Sequence, residues 1–349
     1  MKLSRLEELV GRFPSRRIAV FGDFFLDRYM DIDPRLAEKS VETGKTAHQV
    51  VQIRNYPGAA GTVVNNLSAL KAGVIHAIGV IGDDGQGYDL KRELNRRSCQ
   101  TDGLITSDDV MTPMYLKPLN NQVPGLAGEH ERIDTKNRRP MKPELVHRAL
   151  QHLDQLLPNL DAVIILDQVE EADCGVVTAL AREELAKRAR SNPKVFFYAD
   201  SRRFITEFRD IIIKPNEFEA VGHANPLPGD QVDPDRLKVS LEKLRKQSGA
   251  PICVTQGSRG MLVTDPVLTP VPGVRVDGPI DTTGAGDSVS AGLMLALTSG
   301  ATLPEAGLVG MLVASITIQQ LGTTGTATPQ EVLNRLSLWQ QQNAGVEIR

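Results

Sequence analysis

From residue 58 onward, short apolar runs bounded by turn residues alternate with amphipathic stretches of helical length, and this alternation dictates the fold. The spacing predicts helices over Gly58 to Ala72, Gln86 to Arg97, Pro143 to Leu157, Ala172 to Arg190 and Asp233 to Gln247. Between them it predicts strands over Val74 to Ile81, Ala162 to Leu166, Lys194 to Ala199, Asp210 to Ile213 and Ile252 to Thr255. Strands that are apolar throughout are covered on both faces, the habit of parallel sheets joined by helical crossovers. Arg17 to Asp23 is a further core strand, after a short amphipathic helix (Leu3, Leu6, Leu9, Val10) that Pro14 ends. Two long small-residue helices, Ala285 to Ser299 and Pro304 to Gln320, and a polar helix from Pro329 close the chain. The expected class is α/β, a central mostly parallel sheet with helices on both faces.

Residues 30–57 and Met114 to Ile133 break the alternation: they are charged, weakly alternating and extended, as in His48 to Ile53. They predict a small β-sheet lid formed by insertions at about 30–57 and 108–135, on a single domain spanning residues 1–349. Lys and Arg total 40 against 43 Asp and Glu, so no basic excess drives binding to a nucleic-acid backbone. Cys99, Cys174 and Cys253 are too few and too widely spaced for a disulfide framework or a zinc site. No apolar run reaches membrane-spanning length, and the N-terminal charges do not suit a signal peptide. A cytoplasmic location, with neither membrane nor nucleic acid as partner, is the default.

The chemistry concentrates in Asp281-Thr282-Thr283-Gly284-Ala285-Gly286-Asp287, between a strand-like region and a helix. Gly284 and Gly286 allow a tight turn with no Cβ in a ligand's way. The helix that follows aims free N–H groups and its positive dipole end at the turn, an arrangement that binds phosphate. Asp287, in the first helical turn, is either a cap or a base that takes a hydroxyl proton during phosphoryl transfer. Asn216 and Glu219 open another helix and suit either a capping box or a Mg²⁺ site completed by water. Val254 to Gly260 is either a hairpin turn or a glycine-relieved approach to phosphate at Gly257.

The seven residues from Asp281 to Asp287 match in full the C-terminal signature of the ribokinase-like (PfkB) carbohydrate kinases. Asn216/Glu219 matches that family's Asn-x-x-Glu motif, and Gly22-Asp23-Phe24-Phe25-Leu26-Asp27-Arg28-Tyr29 resembles its first-strand motif. The resemblance covers roughly residues 16 to 335. It is strongest to the heptose-phosphate kinase domains of lipopolysaccharide core-sugar synthesis, through the Gly22–Tyr29 run, Glu131-Arg132-Ile133-Asp134 and Gly325-Thr326-Ala327-Thr328-Pro329. The nucleotidyltransferase domain often fused to such kinases is not expected. The resemblance implies a Rossmann-like fold, and a reaction in which ATP with Mg²⁺ phosphorylates a hydroxyl of a sugar or sugar phosphate. Asp287 would be the base, with N–H groups of Gly284, Ala285 and Gly286 as the anion hole. Asn216, Glu219, Thr255, Gly257 and Gly260 would serve the nucleotide and its Mg²⁺, and Asp281 a monovalent cation such as K⁺. Asp27, Gly58, Thr62, Asn66 and Arg132 would meet the sugar, and lids of this kind pair subunits into homodimers.

Where the heptose kinases read Pro-Gly-Gly-Ala-Ala-Asn, this chain has Pro57-Gly58-Ala59-Ala60-Gly61-Thr62, which sets its hydroxyl recognition apart. For a phosphate already on the sugar, the candidates are Lys39, Lys45, Arg54 and Arg132, each otherwise a solvated surface cation. Gly44-Lys45-Thr46 is no P-loop, because Lys39 stands where the leading glycine belongs, and Gly79 to Gly85 is no dinucleotide fingerprint. The alternatives are a kinase of another sugar, a fructose phosphate or a nucleoside, or a kinase-fold sensor that binds sugar or nucleotide with weak turnover.

Overall fold

The computed structural model describes residues 1–123, 125–322 and 324–348. Residue 124 of the 108–135 stretch, and residues 323 and 349 of the single-domain span, lie outside the described residues. Six parallel strands form the central sheet, in the order Ile212–Ile213, Phe196–Ser201, Ala162–Asp167, Arg17–Gly22, Val74–Gly82, Cys99–Ser107. Strand order reverses between Arg17–Gly22 and Ala162–Asp167, so a crevice opens at their carboxyl ends.

Successive side chains of a strand face opposite sides, and the first strand shows this directly. Ile18 and Val20 join a core under the helices Ala60–Ala69, Ala285–Thr298 and Leu303–Thr317. Ala19 and Phe21 join a second core under Pro143–Leu156, Ala179–Ser191 and Pro234–Ser248. Leu303–Thr317 is buried along its whole length, and its N-terminus is fixed by Pro304 in the first turn and a capping box between Thr302 and Glu305.

A second sheet, in the order Val50–Ala59, Phe24–Ile32, Met114–Asn120, Ile133–Thr135, packs beside the carboxyl end of the first strand. It is mixed: Phe24–Ile32 runs antiparallel to Val50–Ala59 but parallel to Met114–Asn120. A three-stranded antiparallel sheet (Cys253–Thr255, Gly260–Val263, Thr269–Pro272) joins the edge of the central sheet through the bridges Ile213–Ile252 and Asn216–Thr255. No helix of the described residues is long and apolar enough to cross a membrane.

Four segments depart from the expected elements. Cys99–Ser107, an edge strand of the central sheet, has no expected counterpart, and Ile252 to Thr255, expected among the parallel strands, pairs antiparallel in the three-stranded sheet. The helix expected from Ala172 begins at Ala179, capped by Thr178. Asp173 takes a left-handed φ of 58°, and the N–H of Val176 is spent on Asp23, so this stretch is a turn fixed by a distant residue. Gly58 and Ala59 belong to the strand Val50–Ala59, and the helix expected from Gly58 starts at Ala60.

Candidate active site

Asp23 closes the crevice at its base. Its buried carboxylate accepts N–H groups of Gln168 (2.9 Å), Val169 (3.3 Å) and Val176 (2.8 Å), tying the loop after one central strand to the end of its neighbour. Burial raises its pKa, and the three hydrogen bonds oppose the rise.

Gly284, at φ 76°, turns the chain into the helix Ala285–Thr298 and puts Asp287 third in that helix. Asp287 is half-buried in a polar chamber of about 660 Å³, whose walls include Asp200, Arg202, Lys214, Asn216 and Glu219. Burial and the charge of Asp200 push its carboxyl up to about 7, against the pull of Lys214 and Arg202. Lys214 Nζ pairs with Asp200 Oδ2 at 2.8 Å. Both groups stand over Gly286, where a Cβ would lie 3.4 Å from the amine and 3.8 Å from the carboxylate. These are ordinary contact distances, so the ion pair packs directly on the first turn of the helix.

Asn216 and Glu219 form the capping box of a four-residue helix: Asn216 Oδ1 accepts the N–H groups of Phe218 and Glu219, and Glu219 Oε2 accepts that of Asn216 at 2.7 Å. The cap and the polar chamber use the same residues. Burial pushes Glu219 up to about 7. Among the described residues no cluster of three or more His, Cys, Asp or Glu is set to hold a metal ion, so Mg²⁺ here would depend on its waters and on phosphate oxygens.

An apolar chamber of about 730 Å³ adjoins the polar one, lined by Val274, Val276, Val289, Met311, Ala314 and Ile318 among others. Thr255, Gly257 and Gly286 line both chambers. Gly260 lines neither; it is buried behind the hairpin at φ 104°.

At the opposite end, Asp27 sits on the strand Phe24–Ile32 with Oδ1 buried and without a hydrogen-bond partner. Gly58 faces it so closely that a Cβ would lie 2.8 Å from Oδ2. Burial raises the pKa of Asp27, while Lys117, Arg132 and Arg202 pull it down. Arg132 stacks 4.2 Å over the Tyr115 ring and pairs with Asp134 at 2.7 Å. Thr62 abuts the turn, its Cγ2 3.2 Å from where a Gly284 Cβ would be. Asn66 is fully buried one turn further along the helix: its Nδ2 donates to the Thr62 carbonyl at 3.0 Å, and its Oδ1 is buried without a partner. Asp281 accepts N–H groups from Thr283 (3.0 Å) and Gly322 (3.3 Å); burial works against its charge, but these bonds hold its pKa below the usual carboxylate value. Lys39 and Lys45 are exposed on a small hairpin, and Arg54 is paired with Asp31.

Asp200, Arg202 and the amine of Lys214 have no place in a reading of single motifs. The available signal was topological, since Asp200 lies at the carboxyl end of one strand and Lys214 just past the end of its parallel neighbour.

A model of the pfkB family of carbohydrate kinases matches residues 16–331. The bifunctional protein HldE of Desulfatibacillum aliphaticivorans is 30% identical over 325 residues, 90% of this chain and 62% of that protein. HldE of Nitratiruptor sp. is 28% identical over 323 residues, covering 90% and 64%. The chain therefore spans somewhat less than two thirds of the length of these relatives. Among solved structures, ribokinase from Thermotoga maritima superposes with a TM-score of 0.63 at 18% identity, covering 92% of this chain and 99% of that one. Arabidopsis thaliana ribokinase complexed with ribose and ATP gives 0.63 at 17%, covering 92% and 98%. At such identities the shared property is the fold.

Proposed function

We propose, from the premise that the chain belongs to the pfkB family of carbohydrate kinases, that this sugar kinase phosphorylates a sugar already bearing a phosphate, with a heptose 7-phosphate the first acceptor to test. The observation that carries the reading is that one strand-to-helix segment joins two carboxylates, Gly58 packing on Asp27 and Thr62 on the Gly284 turn that leads to Asp287. Asp27, with an unpartnered oxygen and three cations acting on it, suits the hydroxyls of an anionic sugar, and Asp287 stands at the phosphate-binding turn. Asp27 also raises the pKa of Asp287, so the two lie within electrostatic reach of one another. The resemblance of the Gly22–Tyr29 run to heptose-phosphate kinases supports the same acceptor.

In this reading, bound ATP with Mg²⁺ supplies the γ-phosphoryl group, and every other task falls to the chain. Val274, Val276, Met311 and their neighbours enclose the nucleoside. Glu219 and Asn216 would hold Mg²⁺, and Thr255 and Gly257 border the phosphates. Lys214 and the N–H groups of Gly284, Ala285 and Gly286 balance charge that develops on the transferred group. Asp27 orients the sugar, Gly58 leaves room for it, and Thr62 presents a hydroxyl at the edge of the turn. Asp287 takes the proton of the attacking hydroxyl. Asp281 ties the turn and is the carboxylate available to a K⁺ ion. The second sheet acts as a lid that excludes water, and its exposed Val51, Ile53 and Ile133 form the seam of a homodimer.

The test is nucleotide consumption by the purified chain with Mg²⁺ and a panel containing heptose 7-phosphate, fructose phosphates, free sugars and nucleosides. Turnover with a phosphorylated sugar, abolished in Asp287→Asn, is expected. Preference for an unphosphorylated acceptor would remove the anionic-sugar reading. ADP binding without turnover on any acceptor would make the protein a sensor.

A further inference from the structure

We infer that Asn343, just past the last helix, reads the nucleobase and makes the enzyme select adenine over purines that carry a carbonyl at the same position. The inference rests on the reading that the apolar chamber takes the nucleoside.

The last helix, Pro329–Gln342, begins with a capping box between Thr328 and Glu331 and is anchored near its end by Trp339. Trp339 is fully buried, and its indole N–H donates to the carbonyl of Pro272 at 2.8 Å. Gln342 adds a two-sided clamp on Arg275, accepting its backbone N–H and donating to its carbonyl, each at 2.8 Å. The helix thus holds the 272–275 stretch, and Pro272, Gly273, Val274 and Arg275 all line the apolar chamber. Asn343 lines it as well, half-buried.

The orientation of the Asn343 amide follows from its neighbours. Its Nδ2 lies 3.0 Å from the carbonyl of Trp339 and 3.5 Å from that of Gly273. Both are acceptors only, so the reversed amide would set oxygen against oxygen. The nitrogen must therefore face the two carbonyls, and Oδ1 is left as a fixed acceptor. Among the residues lining the chamber, Asn343 is the sole amide side chain, and no carboxylate lines it; Ser315, the buried hydroxyl there, spends its proton on the carbonyl of Leu312. An oriented amide acceptor beside the apolar wall of Val274, Val276, Met311 and Ile318 complements the exocyclic amine of adenine and opposes the carbonyl oxygen of hypoxanthine or guanine. A mispaired acceptor in such a site costs more than a missing bond, which is how small polar differences produce selectivity.

The experiment is calorimetric titration with ADP and with inosine diphosphate, which carries a carbonyl in place of the amine and needs no sugar. Wild-type protein is expected to favour ADP by roughly tenfold or more, the scale of one well-placed hydrogen bond. Asn343→Leu should bring the two affinities within about twofold. Asn343→Ser, which keeps a donor for the Trp339 carbonyl but is too short to present an acceptor, should do the same if the leucine variant folds poorly. Gln342→Ala, which releases the wall and leaves the amide, should weaken both nucleotides together and preserve their ratio. Wild-type selectivity that survives in both Asn343 variants overturns the inference while leaving the kinase reading intact. Wild-type protein that binds neither nucleotide overturns both.

Discussion

Lys214 Nζ lies 2.8 Å from Asp200 Oδ2, and the pair stands over Gly286, one residue before Asp287. Lys214 is about 5% exposed and Asp200 about 15%, so water screens neither well. Lys214 therefore balances both Asp200 and Asp287. Lys214→Met should leave Asp200 uncompensated and cost roughly 3–5 kcal/mol of stability, the usual penalty for stranding a buried charge. It should also raise the pKa of Asp287 and move the acid limb of the pH–rate profile upward. Adding Asp200→Asn should recover part of both losses, as read by denaturant unfolding and kcat/KM against pH.

Asp287 sets activity and stability against each other. Its folded pKa is about 7 against an ordinary 3.8, so the unfolded chain releases this proton first as pH rises. The stability contributed by the protonated carboxyl is complete below about pH 4 and is lost as pH climbs through 7. Catalysis needs the deprotonated form, so kcat/KM should rise over the upper part of that same window. Asp287→Asn should lose on the order of 100- to 10,000-fold in turnover. Its melting temperature should exceed wild type by more at pH 8 than at pH 5, and equal gains at both pH values would contradict the assigned pKa.

Asp27 carries the same tension at the sugar end. An acceptor oxygen buried without a partner is a cost carried by the resting protein. Asp27→Asn should therefore leave stability unchanged or higher, while kcat/KM for the sugar falls about 10- to 100-fold, the range for a hydrogen bond to a charged group. ADP affinity should not move, which calorimetry will separate from a general loss of structure.

Ala59 occupies a backbone conformation of φ 52°, ψ −120°, which suits glycine and strains a side chain. Heptose kinases carry glycine at this place in the motif. The strain is worth roughly 1–3 kcal/mol, and glycine returns roughly 0.4–1 kcal/mol of that as extra freedom in the unfolded chain. Ala59→Gly should accordingly stabilise by about 1 kcal/mol, visible as a rise of about 1 to 2 °C in Tm.

Five strands of the parallel sheet were legible because they are apolar runs bounded by turns, a signal that local sequence carries; the edge strand Cys99–Ser107, with Gln100, Thr101 and Asp102, carries no such run and was not anticipated. The turn at 172–178 was not legible, because its conformation answers to Asp23, about 150 residues earlier in the chain. The candidate site divides along the same line. Gly284, Gly286 and Asp287 lie within four residues and announce themselves. Lys214, Asp200 and Arg202 meet Asp287 only once parallel strands bring their carboxyl ends together, and no spacing in the chain encodes that. Asn66 fits a motif as well, but which of its atoms is spent emerges only from the fold: Nδ2 donates to the Thr62 carbonyl one turn away, and Oδ1 is left buried without a partner.

The strand Val50–Ala59 passes unbroken from exposed Ile53 at the rim of the small sheet to Gly58 against Asp27, and runs directly into the helix that holds Thr62 against the turn. The strand has no break between Ile53 and Gly58, and its one sharp joint to the helix is Ala59. Load applied at the rim, by a neighbouring molecule or by the sugar itself, reaches Gly58 directly and Thr62 through that joint, so mutations at the rim will register in sugar affinity from a distance.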